Sequence, residues 1–305
     1  MARVAIVIVT FNSAAEIGPC LNALAGLDAE IVVVDNASAD ATRAVVAARG
    51  IRLIANAANE GFAAAVNRGV RETAAPLVLL LNPDAVYQRG IEALEAEFDD
   101  PRIGAAGGLL IGSDGAPQAG FMARNLPTPA ALCFEALGVN ALFPGNPVNW
   151  HYRCLGLSPV TPSLVEQPAG AFLMFPRSTW ERVGGFDERF SPVWFEDVDF
   201  CAGIKRTGLL ARYNPAAVAE HAGAHSVGAL SLPIRESYWY GSLLKYAAKH
   251  YPSTAFASVC GSVALGAVFR AVREFPRYGF RAARIYGGVF GLAFGSLFRG
   301  RAACR

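Results

Sequence analysis

Five carboxylates fall within thirteen residues of the segment Phe186-Asp-Glu-Arg-Phe-Ser-Pro-Val-Trp-Phe-Glu-Asp-Val-Asp-Phe200: Asp187, Glu188, Glu196, Asp197 and Asp199. Phe186, Phe190, Trp194, Phe195 and Phe200 are threaded between them. A solvated charged face does not normally carry so many rings. Aromatic side chains around a carboxylate exclude water and raise its pKa, which suits a general base. Glu196 and Asp197 are the candidates for that work. A helix N-terminus also favours acidic residues, and Glu196 to Arg206 has a helical pattern, so part of the cluster answers to that cause.

Metal chemistry is the second possibility. Asp84 ends the run Leu-Leu-Leu-Asn-Pro-Asp. A hard divalent cation takes oxygen ligands and bridges readily to a diphosphate, and Pro83 stiffens the turn that presents the carboxylate. His221 and His225 lie in Ala-Glu-His-Ala-Gly-Ala-His-Ser. A neutral imidazole can complete a metal shell begun by a carboxylate; a pair of surface or satisfied histidines explains the same spacing. Gly170-Ala171 precedes the apolar run Phe172 to Phe175. Small residues there would let a substrate approach the backbone closely, or simply turn the chain into a strand.

The elements that must position these groups can be read from periodicity. Val4 to Val9, Ile31 to Val34, Ile51 to Ile54 and Leu77 to Leu81 are short, apolar and largely β-branched or Leu-rich, the pattern of strands buried on both faces. Ser13 to Leu27, Ala39 to Arg49 and Phe62 to Glu72 carry helical spacing between them, with Ser38 as a cap for the second. This alternation predicts an α/β fold with a mostly parallel sheet flanked by helices. In such sheets ligands bind beyond the carboxyl ends of the strands. Thr10 and Asn12, Asp35 and Asn36, Asn59 to Phe62, and Asn82 with Asp84 stand at those four ends. Turn preference explains any one of them; four together point to a shared polar cleft. Residues 101–168 are Gly- and Pro-rich and read as loops and short strands.

Composition bounds the functions. The 305 residues are 53% hydrophobic and 17% charged with a net charge of +2, which excludes a disordered chain and offers no case for nucleic-acid binding. The six cysteines have no C-x-x-C spacing, which fits a reducing compartment better than a disulfide framework. The apolar run at the N-terminus is too short for a signal peptide, so the active part is expected in the cytoplasm. From His250 to Arg305 there are eight Arg and one Glu, a charge of +7, while the rest carries 19 basic against 24 acidic residues.

The motifs taken in order resemble a family. They are Val-Ile-Val-Thr-Phe-Asn at 7–12, Val-Val-Asp-Asn-Ala-Ser at 33–38, Asn-Glu-Gly-Phe-Ala-Ala-Ala-Val-Asn at 59–67, and Leu-Leu-Asn-Pro-Asp at 80–84. Gly170-Ala171, Gly-Phe-Asp-Glu from 185, Phe-Glu-Asp-Val-Asp-Phe from 195, and His221 follow. The set resembles the family 2 glycosyltransferases of GT-A fold, in particular the rhamnosyltransferase-like branch, over about residues 4–226. The resemblance implies a Rossmann-like GT-A sheet in a domain over 1–230 and an inverting transferase for cell-envelope polysaccharide synthesis. It implies a dTDP- or UDP-sugar donor and a divalent cation, Mg²⁺ or Mn²⁺. Asp35 would hold the nucleotide base with Thr10 and Asn12 nearby. Asn59, Gly61, Phe62 and Asn67 would line the nucleotide-sugar site, beside Asn82, Gly170 and Ala171. Asn82-Pro83-Asp84 stands where the family has Asp-x-Asp; Asn replaces the first Asp, so Asp84 would be the carboxylate ligand. His221 would complete the metal shell, and the role of His225 stays open. Asp197 would be the general base, with Glu196 positioning the acceptor or sharing that role.

Residues 231–305 are expected to be a helical, apolar and basic tail. Tyr251 to Phe269 and Ile285 to Phe298 lack charge, yet each falls short of the roughly 20 predominantly apolar residues a spanning helix needs. Arg270, Arg273, Arg277, Arg281 and Arg284 would share an arc of roughly 80° on one helix, with Pro276 dividing it into two as the variant. A basic stripe beside an apolar face predicts a peripheral position on the anionic inner face of the cell membrane, near a glycan or lipid-linked acceptor. A homo-oligomer contact is the competing use of the tail. A nucleotidyltransferase would normally carry a Gly-rich loop with Lys or Arg where Thr10-Phe-Asn-Ser-Ala stands, and a non-catalytic nucleotide-sugar binder would have lost the acids near 196.

Overall fold

A computed structural model describes residues 2–223 and 230–301. The chain forms two compact units. The first contains residues up to Leu126, Arg153–Glu188 and Glu196–Ala229; the second contains Pro127–Tyr152, Arg189–Phe195 and the chain from Leu230 on. His225 lies outside the described residues.

The apolar runs at the start of the chain become the centre of a nine-stranded sheet in the first unit. Its strands are β1 (Val4–Thr10), β2 (Ala29–Asp35), β3 (Arg52–Ala55), β4 (Leu77–Leu81), β5 (Ala85–Arg89) and β6 (Ile103–Ile111). After the short β7 (Ala123–Arg124) come β8 (Ser163–Val165), β9 (Gln167–Pro168), β10 (Phe172–Pro176) and β11 (Leu210–His221). The order is β3-β2-β1-β4-β10-β6-β11-β5, with β8 on β11, while β7 and β9 pair separately. β1 runs parallel to β2 and β4, β2 to β3, and β6 to β11; β10, β5 and β8 run against them. Alternate side chains feed two cores. Ile6, Ile8, Leu79, Leu81 and Phe172 face helix Ile17–Ala23, and Val7, Val9, Leu80 and Phe175 face helices Phe62–Arg71 and Glu196–Arg206.

Register does the positioning. Thr10 pairs with Asp35 and Asp35 with Ala55, so three carboxyl ends lie side by side. Antiparallel β10 sets Phe172 opposite Leu81, which brings Ala171 next to Asn82. Antiparallel β11 sets His221 opposite Ala85, one residue past Asp84. Residues distant in sequence therefore meet at one rim of the sheet.

Three local expectations differ from the structure. The first helix is confined to Ile17–Ala23. The second begins at Thr42, with Asp40 Oδ1 accepting from the Thr42 amide at 3.0 Å, because the Ser38 hydroxyl is bound to Asp35 instead of capping. The third difference is β6, nine residues long where loops and short strands were expected. A Cβ on Gly107 would stand 2.5 Å from Pro168 Cβ, and one on Gly108 2.4 Å from Phe172 Cε1. Crowding removes the side chains that would have given the strand its apolar signature.

The second unit is helical, with Pro129–Leu137, Leu232–His250, Ser253–Tyr278 and Phe280–Arg299 as its main elements. Thr128 caps the first, its hydroxyl accepting from the Ala131 amide at 3.2 Å. Gly266 lets Ser253–Tyr278 approach Pro129–Leu137, since a Cβ there would stand 2.0 Å from Ala136 O. The expected single basic stripe is divided. Pro276 sits inside the 26-residue helix, and the break falls at Gly279, φ 55°. Arg270 turns inward, donating to Ala136 O and to Glu135 O (3.1 Å) and lying over the Tyr240 ring at 5.6 Å. Arg273, Arg277, Arg281 and Arg284 remain exposed. By length and composition Ser253–Tyr278 is apolar enough to cross a membrane, although 39% of its apolar 18-residue window is buried in the fold.

Candidate functional site

The rim of the first unit carries three groups of polar side chains. The first surrounds Asp35, which is fully buried. Its Oδ2 accepts from Thr10 Oγ1 at 3.1 Å and from the Ser38 hydroxyl. Its Oδ1 accepts from the Ser38 amide at 3.0 Å and from Arg43 Nε at 2.5 Å. Burial pushes this carboxyl up, but the hydrogen bonds from Ser38, Arg43 and Thr10 outweigh it and hold the pKa below the ordinary value. A carboxylate offers about four lone-pair positions, and four donors from the chain use them. Asp35 thereby orders the loops after β1 and β2. Asn12, at φ 52°, completes them: its amide donates to Ser38 Oγ at 2.8 Å and its Oδ1 accepts from Ala39 N at 2.8 Å. Arg43 is the residue sequence reasoning missed here; its side chain remains 40% exposed beside the buried acid.

Asn59 and Gly61 shape the turn into helix Phe62–Arg71. Asn59 Oδ1 accepts from the Gly61 amide at 3.0 Å, and Gly61 adopts φ 90°, which favours glycine. Phe62 packs its ring on the core below. Asn67 is 2% exposed and committed to the fold. It accepts from Trp180 Nε1 (3.0 Å) and Phe186 N (2.9 Å), and donates to Phe186 O (2.8 Å) and Glu188 Oε1 (2.9 Å). It acts on the rim by fixing the turn at 185–188. Glu188 also pairs with Arg71 at 3.6 Å, which accounts for that acid structurally.

The second group is Asp84 with His221. The turn after β4 is fixed by Asn82 N donating to Ala171 O (3.0 Å) and Ala85 N to Asn82 O (3.1 Å). His221 Nε2 then lies 3.5 Å from Asp84 Oδ1, with both side chains nearly buried. His221 is the last residue of β11. Gln118 Oε1 is 3.0 Å from His221 Nδ1, and the Phe121 ring stacks on the imidazole at 5.1 Å.

The third group is at the start of helix Glu196–Arg206. Asp197 Oδ2 accepts from Gln167 Nε2 (3.0 Å) and the Gly170 amide (3.2 Å), and Oδ1 from Val198 N (2.8 Å). A Cβ on Gly170 would stand 3.0 Å from Asp197 Cβ. Gly170 is small because Asp197 approaches it, a different reason from substrate access. Ala171 is buried beside it. Glu196 is 5% exposed, and its Oε2 has no hydrogen-bond partner among the described residues. Burial first, and the charge of Asp197 second, push its pKa well above the usual carboxylate range. Gln167 Oε1 is likewise buried and unpartnered. The aromatics expected around these acids are divided: Phe186 stacks on Phe200 at 4.3 Å in the core of the first unit, whereas Phe195 packs with Tyr246 at 5.5 Å in the second. Gln167 and Gln118 were not singled out from sequence, and no motif marks either.

The chain is similar to several known proteins. Residues 5–160 match the profile described as Glycosyl transferase family 2. The N-acetylglucosaminyl-diphospho-decaprenol L-rhamnosyltransferase of Mycobacterium tuberculosis is 32% identical over 217 residues, 65% of this chain and 68% of that protein. The mannosyltransferase PcManGT of Pyrobaculum calidifontis, solved with GDP-Man and Mn²⁺, superposes with a TM-score of 0.53 at 17% identity, over 97% of this chain and 87% of that one. GalNAc-T7, solved with UDP, GalNAc and Mn²⁺, gives 0.59 at 15% identity, over 87% and 52%. The two structural likenesses concern the fold alone.

Proposed function

The chain belongs to glycosyl transferase family 2 and is a glycosyltransferase; from that premise we propose that it inverts the anomeric centre of a sugar as it moves it from a nucleotide-diphosphate donor to a hydroxyl of a lipid-linked glycan. Rhamnose is the sugar this reading favours, supported by the name of the M. tuberculosis relative, carried on dTDP, with a UDP-sugar as the alternative donor. Residues 1–230 are the transferase part in this reading, and 231–305 bring it to the membrane.

One observation carries the reading. Asp197 is held in one orientation by Gln167 and Gly170 beside a buried Glu196 with an unpartnered oxygen. Asp197 takes the proton from the acceptor hydroxyl as that oxygen attacks the anomeric carbon opposite the leaving diphosphate. Glu196, kept neutral by burial, orients the acceptor, its Oε2 open to a hydroxyl donor. Inversion needs one base and no covalent intermediate.

Asp84 and His221 suit a divalent cation. They bring one carboxylate oxygen and one imidazole nitrogen to face each other, a donor set compatible with Mn²⁺ or Mg²⁺. Among the described residues no three His, Cys, Asp or Glu gather into a closed site; donor phosphates would supply further oxygen ligands. A cation held there supplies charge to offset that growing on the departing diphosphate. Thr10, Asn12, Asp35 and Arg43 organise the loops that receive the nucleotide, with Asn59, Gly61, Phe62 and Asn82 along the same rim.

The second unit suits an anionic lipid surface on the cytoplasmic side. Val272 and Phe275 on one helix, and Phe280, Phe290, Phe294 and Phe298 on the next, are exposed, beside Arg273, Arg277, Arg281 and Arg284. Such apolar faces flanked by Arg bind membranes through both terms. Two copies of a segment carrying +7 would repel, which favours lipid over a homo-oligomer contact.

Calorimetric titration with a panel of nucleotide-diphosphate sugars, in Mn²⁺, in Mg²⁺ and in chelator, tests the transferase reading. Metal-dependent binding of one donor is expected. Folded protein that binds none of them would overturn the donor assignment.

A further inference from the structure

We propose that Gln118 is a positioning residue: it holds His221 as the Nδ1-protonated tautomer and so directs the Nε2 lone pair toward Asp84. This rests on the reading of Asp84 and His221 as the pair that holds the donor's cation.

The tautomer follows from two hydrogen bonds taken together. Gln118 Nε2 donates to the backbone oxygen of His221 at 2.7 Å. A carbonyl only accepts, so the amide nitrogen must face it and the orientation of the carboxamide is fixed. Gln118 Oε1 then faces His221 Nδ1 at 3.0 Å. This oxygen has no hydrogen, so Nδ1 carries the proton. In a neutral imidazole the other nitrogen is then the acceptor. That nitrogen lies 3.5 Å from Asp84 Oδ1, too far for a good hydrogen bond.

The same short segment also fixes the ring plane. Phe121 stacks on the imidazole with planes 5° apart, and its amide donates to Gln118 O at 3.0 Å. Gln118 N in turn donates to Leu110 O at 2.8 Å near the end of β6. One turn anchored on the sheet thus supplies both the amide that sets the tautomer and the ring that prevents rotation. Outer partners of this kind commonly govern metal affinity by fixing ligand orientation.

The test uses the full chain, labelled with ¹⁵N-histidine. Four histidines are present, and His221→Gln identifies the resonance. Long-range ¹H–¹⁵N correlation without metal, at mildly alkaline pH, is expected to show a protonated Nδ1 and an unprotonated Nε2 at His221. Gln118→Met removes both hydrogen bonds at similar volume and is expected to mix the tautomers. It should also weaken Mn²⁺ binding about tenfold, read by paramagnetic resonance of free Mn²⁺ with and without UDP or dTDP. Gln118→Glu keeps an acceptor toward Nδ1 and is expected to retain the wild-type tautomer. A protonated Nε2 in the wild type overturns the proposal, and so does unchanged Mn²⁺ affinity in Gln118→Met. Wild-type protein that takes up no Mn²⁺ under any of these conditions overturns instead the reading of Asp84 and His221 as cation ligands; the spectrum still decides which tautomer Gln118 selects.

Discussion

Asp197→Asn removes the proposed proton acceptor while keeping its shape, and the surrounding donors determine what else it costs. In the wild type Oδ2 takes two hydrogen bonds, from Gln167 and Gly170, and Oδ1 takes one from Val198 N. An asparagine has one oxygen and one NH₂. Pointing the oxygen at Gln167 and Gly170 keeps two bonds and sets the NH₂ against the Val198 amide; the reverse keeps one and opposes two donors. The first orientation wins, with one bond lost and one donor opposed, a cost of about 1–3 kcal/mol in stability. The catalytic loss is larger. A positioned general base contributes about 10²–10⁴ in rate, or roughly 3–5 kcal/mol of barrier at 1.36 kcal/mol per decade. The assay is transfer at saturating donor, with calorimetric donor binding and thermal unfolding on the same preparation. The expected result is kcat down by at least about 100-fold, donor affinity within a few-fold and a modest fall in unfolding midpoint. Turnover at the wild-type rate would refute the reasoning. Loss of donor binding together with turnover would move Asp197 from the acceptor side to the donor side.

Asp84→Ala is expected to weaken metal-dependent donor binding and leave metal-free nucleotide binding alone; calorimetry with and without chelator checks this, and unchanged binding removes Asp84 from the cation shell. Gly170→Ala places a methyl 3.0 Å from Asp197 Cβ and 3.1 Å from its Oδ2, so the carboxylate must shift by a few tenths of an ångström and kcat should fall about tenfold with donor affinity kept. For Glu196, whose pKa is raised by burial and then by Asp197, the folded form holds a proton that the unfolded form releases above 4.5. Stability therefore falls as pH rises from there through the folded pKa, and Glu196→Gln should narrow the difference in unfolding midpoint between about pH 5 and pH 8; an unaltered difference contradicts the neutral assignment. Phe294→Glu with Phe298→Glu removes two exposed rings, worth about 3 kcal/mol together when buried in lipid, so sedimentation with anionic vesicles should show binding reduced by roughly a hundredfold; wild-type binding in the double variant would exclude this face.

Much of the central sheet was legible because short runs buried on both faces leave a plain signal. Leu77–Leu81 and the helix from Glu196 to Arg206 have the same bounds in sequence and in structure. The polar residues at the strand ends were legible for a related reason: a parallel sheet puts all its carboxyl ends on one rim. What sequence missed depends on contacts between distant strands. β6 lost its apolar signature to glycines that make room for Pro168 and Phe172. Gln118 and Gln167 matter only because β11 and helix Glu196–Arg206 bring His221 and Asp197 to them. Neighbouring positions can also mislead. Phe186, Phe195 and Phe200 alternate with the acids along the chain, yet they pack into cores of different units. The five-Arg stripe assumed one continuous helix, and Gly279 with the inward turn of Arg270 divides it.

The distribution of satisfied and unsatisfied groups separates residues that build the rim from residues that use it. Asp35 and Asn67 stand at strand-end and helix positions expected to bind the donor, but every lone pair or donor they possess is engaged by the chain. Breaking such a knot costs the desolvation of a buried polar group, so substitutions there should first disturb the fold of the loops and only then donor affinity. Glu196 Oε2 and Gln167 Oε1 are the reverse case: buried acceptors left without a partner, a state that costs stability unless a ligand relieves it. Glu196 adjoins Asp197 in sequence and Gln167 donates to it; the Gln167 oxygen needs a donor, and a protonated Glu196 carboxyl can both give and take a hydrogen bond. A sugar hydroxyl meets both needs, since it donates and accepts, whereas a diphosphate offers only acceptors. In the proposed reading that hydroxyl is the attacking one of the acceptor. The Asp84–His221 side, with a carboxylate oxygen 3.5 Å from an imidazole nitrogen, would hold the cation in that reading.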